Sequence, residues 1–265
     1  MPLALIPWFE FPSLSFGPFT IQSFGVLSAL GILAAVQLAA RGARQLGREP
    51  QVILDFAVVG VLSGVVAGHL AHLFFYHPEE LREPWRILKF WEGLSSMGGL
   101  GGGILAAAAW FRWKRIRFAD YADAFALGVA PGWGVARVGC FTVHDHPGVH
   151  TTFPLAVAFP DGPRHDLGLY EAIVLFAIGA LLWSLHRRGA LRGRLLPALA
   201  LLYGIARFLL DFLRASDVAY ADARHGGLTF AQYFAVALVA YGAFGLLRRE
   251  AAAGPGGTST APGRG

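Results

Sequence analysis

Four long stretches of this 265-residue chain carry no Asp, Glu, Lys or Arg: residues 11–40, 56–78, 93–111 and 228–247. A helix needs about 20 mostly apolar residues to cross a hydrocarbon core, and each stretch is of that order. A water-soluble helical protein built from such runs has no polar face to present to solvent. Composition agrees. Only 15% of residues are charged and mean hydropathy is +0.51, against roughly 25% charged in soluble domains. The expected fold is an all-α polytopic membrane protein with about seven transmembrane helices, over residues 22–40, 54–76, 95–111, 119–137, 168–185, 195–213 and 229–247.

Positive charge sets the expected orientation. Arg41, Arg44 and Arg48, then Arg112, Lys114, Arg115 and Arg117, then Arg187, Arg188, Arg192 and Arg194, fall in alternate connections, and Arg248, Arg249 and Arg264 follow the last span. Retained Lys and Arg mark the cytoplasmic side, which places the N-terminus outside and the C-terminus inside. The net charge of +5 and pI near 9.7 follow from this bias and from contact with anionic membrane lipid; they do not point to nucleic acid. Residues 1–250 read as one membrane domain and 251–265, rich in Gly, Pro, Ser and Thr, as a disordered tail. The N-terminus lacks the basic region and cleavage site of a signal peptide. The single Cys140 cannot form an internal disulfide.

Several ionisable residues fall inside these spans. Tyr203, Arg207, Asp211 and Arg214 are spaced 4, 4 and 3 apart, which puts them on one helix face. Arg207 lies deep in its span, where a charge costs at least about 2.5–3.5 kcal/mol and needs a partner or a polar cavity. Either Arg207 and Asp211 neutralise each other and lock helices together, or Arg207 and Arg214 line a cavity for an anion, which guanidinium groups grip in a fork. Arg137, at the end of span four, either caps that helix or adds a third cation, with a lipid headgroup as the natural anion. His69, His72 and Tyr76 share a face of span two and suggest a polar cavity wall. Gly98 and Gly99, in WEGLSSMGGLGGG (residues 91–103), allow close approach of a helix or of a ligand. The segment between spans four and five holds His144, Asp145, His146, His150, His165 and Asp166. These types can ligate zinc, but their spacing matches no closed zinc pattern, and no metal or other cofactor is expected.

Six motifs in chain order resemble those of the prolipoprotein diacylglyceryl transferase family, over roughly residues 20–248. GHLAHLFFY is similar to that family's G-R-x-G-(Y/H)-V-L-F-Y, and WEGLSSMGGLGGG to W-x-G-G-(small/apolar)-x-(H/Y)-G-G-L-x-G. ARVGCF resembles G-R-x-G-N-F, and RHDLGLYEA resembles H-P-(S/T)-Q-L-Y-E. YGIARFLLDFLRASD is similar to Y-G-x-x-R-F-x-x-E-x-x-R-x-P-D, and LTFAQ to L-(S/T)-x-x-Q. The resemblance implies a seven-span enzyme of the bacterial cytoplasmic (inner) membrane, with a cavity open to the outer leaflet. It implies transfer of a diacylglyceryl group from phosphatidylglycerol to the lipobox cysteine thiol of a lipoprotein precursor peptide, releasing glycerol 1-phosphate. The family's two central arginines match Arg137 and Arg207, its acidic residue Asp211, its next arginine Arg214, and its histidine His165, with Tyr203 and Tyr170 inside matching motifs.

The departures bear on mechanism. Met97 stands at the family's proton-accepting His or Tyr, Cys140 at its Asn, His69 at its span-two Arg, Phe24 at its early Tyr, and Asp166-Leu167-Gly168 at its Pro-Ser-Gln. Methionine cannot take a proton, so His144 or His146 is expected to deprotonate the acceptor thiol, histidine titrating near 6.5. A turn at Pro147–Gly148 is expected to fold them over the cavity mouth, with Asp145 or Asp166 fixing one tautomer. Cys140 is read as a small residue of the cavity, not a nucleophile. Two alternatives differ in class. A non-catalytic relative that binds phospholipid or lipoprotein is favoured by Met97 and Cys140 and disfavoured by Arg137, Arg207 and Asp211. An intramembrane serine protease rests only on the loose G-x-S of Gly93–Ser96.

Overall fold

The computed structural model describes residues 6–11, 13–16, 19–89, 93–218 and 221–248. The tail expected to be disordered (251–265) lies outside the described residues, as do Trp91, Glu92 and the side chains of Tyr76 and Met97. Seven α-helices are described: α1 (Ser23–Gln45), α2 (Pro50–Ala71), α3 (Ser96–Trp113), α4 (Ala122–Val143), α5 (Leu167–Arg187), α6 (Leu195–Leu210) and α7 (Phe230–Leu247). Six are long and apolar enough to cross a membrane. The seventh, α3, is thinned in hydropathy by Gly98, Gly99, Gly101, Gly102 and Gly103. The chain is an all-α polytopic membrane protein.

Helix α4 is the hub, packing on α1, α5 and α6, while α2 pairs with α3 and α6 with α7. Lipid tails are as apolar as leucine, so membrane helices are held by close packing of small residues. Gly128 and Gly132 on α4 face Ala35 and Ala39 on α1, and a Cβ at Gly132 would stand 2.5 Å from the Gly31 carbonyl oxygen. On its other side α4 buries Leu127 and Ala130 against Leu175, Leu182 and Leu195.

Three boundaries differ from expectation. Helix α4 continues past Arg137 to Val143, so Arg137 lies within the helix. Its charge is met by Glu171 across the interface, and the helix has no electrostatic reason to stop there. The segment after α4 is not a plain solvated loop. It forms an antiparallel sheet in the order β3-β5-β4, from β3 (Pro147–His150), β4 (Val157–Phe159) and β5 (Gly162–Asp166); the earlier strands, β1 (Leu14–Phe16) and β2 (Phe19–Ile21), form a separate ribbon. Pro147 and Gly148 therefore lie in a strand, and the chain turns instead at His144, which caps α4 in the left-handed region at φ 49°. Glycine at 148 is required by packing, since a Cβ there would lie 2.7 Å from the Leu213 carbonyl oxygen. After α2 the chain makes a π-turn over His72–Tyr76, which breaks the helical spacing assumed for His69, His72 and Tyr76.

Arg164 of β5 ties the sheet to the segment after α6. Its side chain is 4% exposed. It donates to Asp161 Oδ2 at 2.9 Å, to Asp217 Oδ1 and Oδ2 at 3.0 and 2.6 Å, and to the Gly148 carbonyl at 3.1 Å. The Arg164 guanidinium holds both carboxylates below the usual aspartate value of 3.8. A carboxylate depressed in the folded state contributes stability above its unfolded value, and that stability is lost as pH falls through the folded value. The clamp is thus expected to persist across neutral and mildly acidic pH and to open only below about pH 3.8. Amide exchange of residues 147–166 and 214–218 against pH checks this. Arg164→Met should raise exchange there at pH 7 and abolish the acid transition; an onset near neutrality in the unaltered protein would refute the clamp.

Candidate active site

The site forms where α4, α5 and α6 converge at one end of the bundle. Asp166 starts α5 by accepting from the Leu169 backbone N–H at 3.0 Å, which sets Glu171 just over one turn into the helix. Glu171 is 1% exposed and faces two arginines. Arg207 Nη1 of α6 donates to its Oε1, Arg137 Nε of α4 lies 2.9 Å from its Oε2, and the Tyr203 hydroxyl donates to Oε2 at 3.2 Å. One turn after Arg207, the fully buried Asp211 pairs with Arg207 Nη2 at 3.1 Å and with Arg214 Nε at 3.2 Å. Arg214 continues to Asp222 at 3.0 Å. The result is a line of charges, Arg137–Glu171–Arg207–Asp211–Arg214, with three cations on two buried carboxylates. Buried charges persist only when paired and hydrogen-bonded; this line meets that condition, with Asp222 answering the third cation.

Thr229 and Gln232 complete the support. They form a capping box at the start of α7, the Thr229 hydroxyl donates to Asp211 Oδ2, and Gln232 Nε2 donates to the Phe208 carbonyl at 3.2 Å.

Arg137 reaches beyond Glu171. Its Nη1 lies 3.3 Å from His146 Nε2 and 3.6 Å from Cys140 Sγ. Its Nε, close to Glu171, is buried without an aligned hydrogen bond. The Asp145 carboxylate engages His146 Nδ1. That pairing places the imidazole proton on Nδ1 and leaves the Nε2 lone pair toward Arg137. Cys140, Asp145 and His146 bring ligand atoms within 4.8 Å of one another, but Arg137 Nη1 lies against both Cys140 Sγ and His146 Nε2, and its positive charge there opposes a metal cation.

The model of the family described as prolipoprotein diacylglyceryl transferase matches residues 12–248. A relative from Chromohalobacter salexigens, named phosphatidylglycerol–prolipoprotein diacylglyceryl transferase, is 33% identical over 87% of this chain and 88% of its own. A protein of the same name from Azotobacter vinelandii is 34% identical over 90% of this chain and 95% of its own. One from Nitratidesulfovibrio vulgaris is 32% identical over 87% and 90%. The chain belongs to the prolipoprotein diacylglyceryl transferase family.

In this member of the family, the structure brings together Arg137, Cys140, His146, Tyr203, Arg207, Asp211 and Arg214. It places the other residues named from the sequence elsewhere. His144 is separated from the arginine line: its Nδ1 lies 2.7 Å from Asp166 Oδ2, its ring stacks on Trp8 at 4.5 Å, and Phe9, Phe141 and Phe159 enclose it. His69 spans two backbone carbonyls, Gly93 at 2.9 Å from Nδ1 and Arg86 at 3.1 Å from Nε2. It fastens α2 to the connection before α3 and, among the described residues, is bonded to no arginine side chain. Gly98 sits against α2, where a Cβ would lie 2.8 Å from the Ala67 carbonyl oxygen, and Gly99 opposes Gly64; both serve helix packing. His165 Nδ1 bonds the Tyr170 hydroxyl at 2.9 Å, and that hydroxyl also donates to the Leu155 carbonyl at 3.2 Å. Burial pushes the His165 imidazole below its ordinary value, which keeps it neutral at pH 7.

Sequence reasoning passed over Glu171, Thr229 and Gln232 as site residues. The signal was present for each, in the Glu that ends LYE and in the Thr and Gln of LTFAQ, but their partners lie on other helices.

Proposed function

We infer that this chain transfers the diacylglyceryl group of phosphatidylglycerol to the lipobox cysteine thiol of a lipoprotein precursor, releasing glycerol 1-phosphate. The observation that carries the reading, in a chain of this family, is the buried line of three arginines on two buried carboxylates, with Arg137 reaching past Glu171 to Cys140 and His146. Arg137 and Arg207 grip the donor phosphate. The acceptor sulfur attacks the glyceryl carbon that bears the phosphate oxygen. A C–S bond forms, the C–O bond breaks, and its electron pair leaves on the phosphate, whose growing charge the arginines stabilise in a site poor in water. The thiol proton passes to His146 Nε2 as Arg137 Nη1 turns from that nitrogen to the phosphate. The site faces the outer leaflet of the bacterial cytoplasmic membrane. This orientation rests on the basic residues at the far ends of α1, α3, α5 and α7.

Labelled phosphatidylglycerol and a lipobox peptide test the reading in detergent-purified protein. Thioether-lipidated peptide with stoichiometric glycerol phosphate supports it. Lipid binding without turnover, or peptide cleavage, would replace it.

Cys140, 6% exposed, contacts Arg137 through a weak acceptor only. Cys140→Asn supplies a stronger acceptor to the same guanidinium at similar size, so turnover should change by no more than roughly 100-fold, a hydrogen bond to a charged group being worth about 1.5–3 kcal/mol. A lipid adduct on Cys140 detected by mass spectrometry would instead make it a nucleophile.

A further inference from the structure

At the opposite end of the bundle, the last turns of α1 and α5 flank α4 and enclose a cleft of about 410 Å³ lined by Gln45, Leu46, His186, Arg187 and Arg192. Two contacts bridge α1 and α5 there: His186 Nε2 lies 3.0 Å from Gln45 Oε1, and the Arg41 guanidinium lies 5.8 Å from the Trp183 ring centre. The turn after α5 is wound tightly, with Gly189, Leu191 and Gly193 all at positive φ (69°, 54° and 75°). This winding folds Arg192 back so that its Nη2 would stand 3.3 Å from a Cβ at Gly189. Arg192 is thereby carried back over the end of α5, toward Arg187. Among the described residues neither arginine has a carboxylate partner. The nearby Asp123 has its two oxygens taken by the backbone N–H groups of Gly193 at 2.5 Å and Leu195 at 2.8 Å.

We propose that this cleft binds the phosphate of an anionic phospholipid headgroup, a second phosphate site remote from the arginine line. Arginine forks match phosphate oxygens, and basic pockets between membrane helices take anionic headgroups from the adjacent leaflet. A free phosphate offers the same oxygens without acyl chains. The exposed apolar surface of α5 ahead of Arg187, including Leu181 at 44% exposed, suits the lipid. The bound headgroup ties α1 to α5, which otherwise meet mainly through α4.

The test is native mass spectrometry of the full chain in detergent, titrated with phosphatidylserine. The unaltered protein should hold one tight lipid that survives the Arg207→Lys substitution. R187Q/R192Q should weaken that lipid at least about tenfold, the loss of one charge-assisted hydrogen bond being worth about 1.5–3 kcal/mol. R112Q/R115Q, which removes the same charge from the α3–α4 turn, should not. Should R187Q/R192Q fail to fold, R187K/R192K keeps the charge, loses the fork, and is read in the same titration for a few-fold loss. Excess inorganic phosphate distinguishes the sources: failure to displace the lipid assigns the site to a headgroup, whereas displacement at matched concentration assigns it to free phosphate. Unchanged lipid occupancy in R187Q/R192Q, or equal loss in R112Q/R115Q, overturns the proposal.

Discussion

Arg207→Lys is expected to lower turnover by about 10²–10³-fold, the range for removing one preorganised donor from a developing anion, while the protein still inserts. In the unaltered chain, one guanidinium answers both Glu171 and Asp211, through different nitrogens. A lysine ammonium is a single point on a flexible stem and cannot hold both carboxylates and a phosphate oxygen together. Charge is conserved, so insertion should be unaffected. Leaving a buried carboxylate under-bonded has its own cost, roughly 1–3 kcal/mol, and thermal unfolding in detergent separates that loss from the catalytic one. A folded Arg207→Lys protein with unchanged kcat would remove phosphate clamping from the mechanism. A fall in kcat with intact lipid binding would place the contribution in the transition state, where the leaving phosphate gains charge.

The spans were legible because an uncharged run of about 20 residues has few alternatives to crossing a bilayer. The pairing of Arg207 with Asp211 was legible for a related reason, since positions four apart on a helix face each other. Glu171 was not. Its contact with Arg207 joins positions 36 apart, and nothing local in RHDLGLYEA says that Asp166 is consumed as a helix cap while Glu171 turns inward. Continuation of α4 past Arg137 was hidden for the same reason: a charge looks like the end of a span until its partner on the next helix is known. The small sheet was hidden by its composition. Strands as short as PGVH and GPRHD carry proline, glycine and histidine, lack alternating hydrophobicity, and are held by Arg164 and by Gly148 packing on Leu213. The two adjacent histidines show the limit most clearly. They lie two residues apart in HDH, yet His144, at the left-handed end of α4, turns under Trp8 and Phe9, whereas His146 turns toward Arg137.

That divergence gives the second large expectation, a separation of the two histidines. His146→Ala is expected to lower turnover by about 10²–10⁴-fold, the usual contribution of a positioned acid or base, with little change in unfolding temperature, because among the described residues no aromatic ring packs on His146. The loss should be partly rescued at higher pH, where more of the acceptor thiol is ionised, an unperturbed thiol titrating near about 8.5. Asp145→Asn should produce a smaller loss with the same rescue, since Asp145 acts only through His146 Nδ1. His144→Ala should behave oppositely. It removes the bond to Asp166 and empties a box of four aromatic rings, which should destabilise the protein by about 2–5 kcal/mol, as for other large-to-small changes in a packed core. Its turnover per folded molecule should stay near normal, with no rescue by pH. Near-normal turnover of His146→Ala at neutral pH would assign thiol deprotonation elsewhere. A pH-rescued loss of turnover in folded His144→Ala would move the base into the Asp166 pair, with its unpartnered Nε2 as the proton acceptor once the Trp8 segment lifts away.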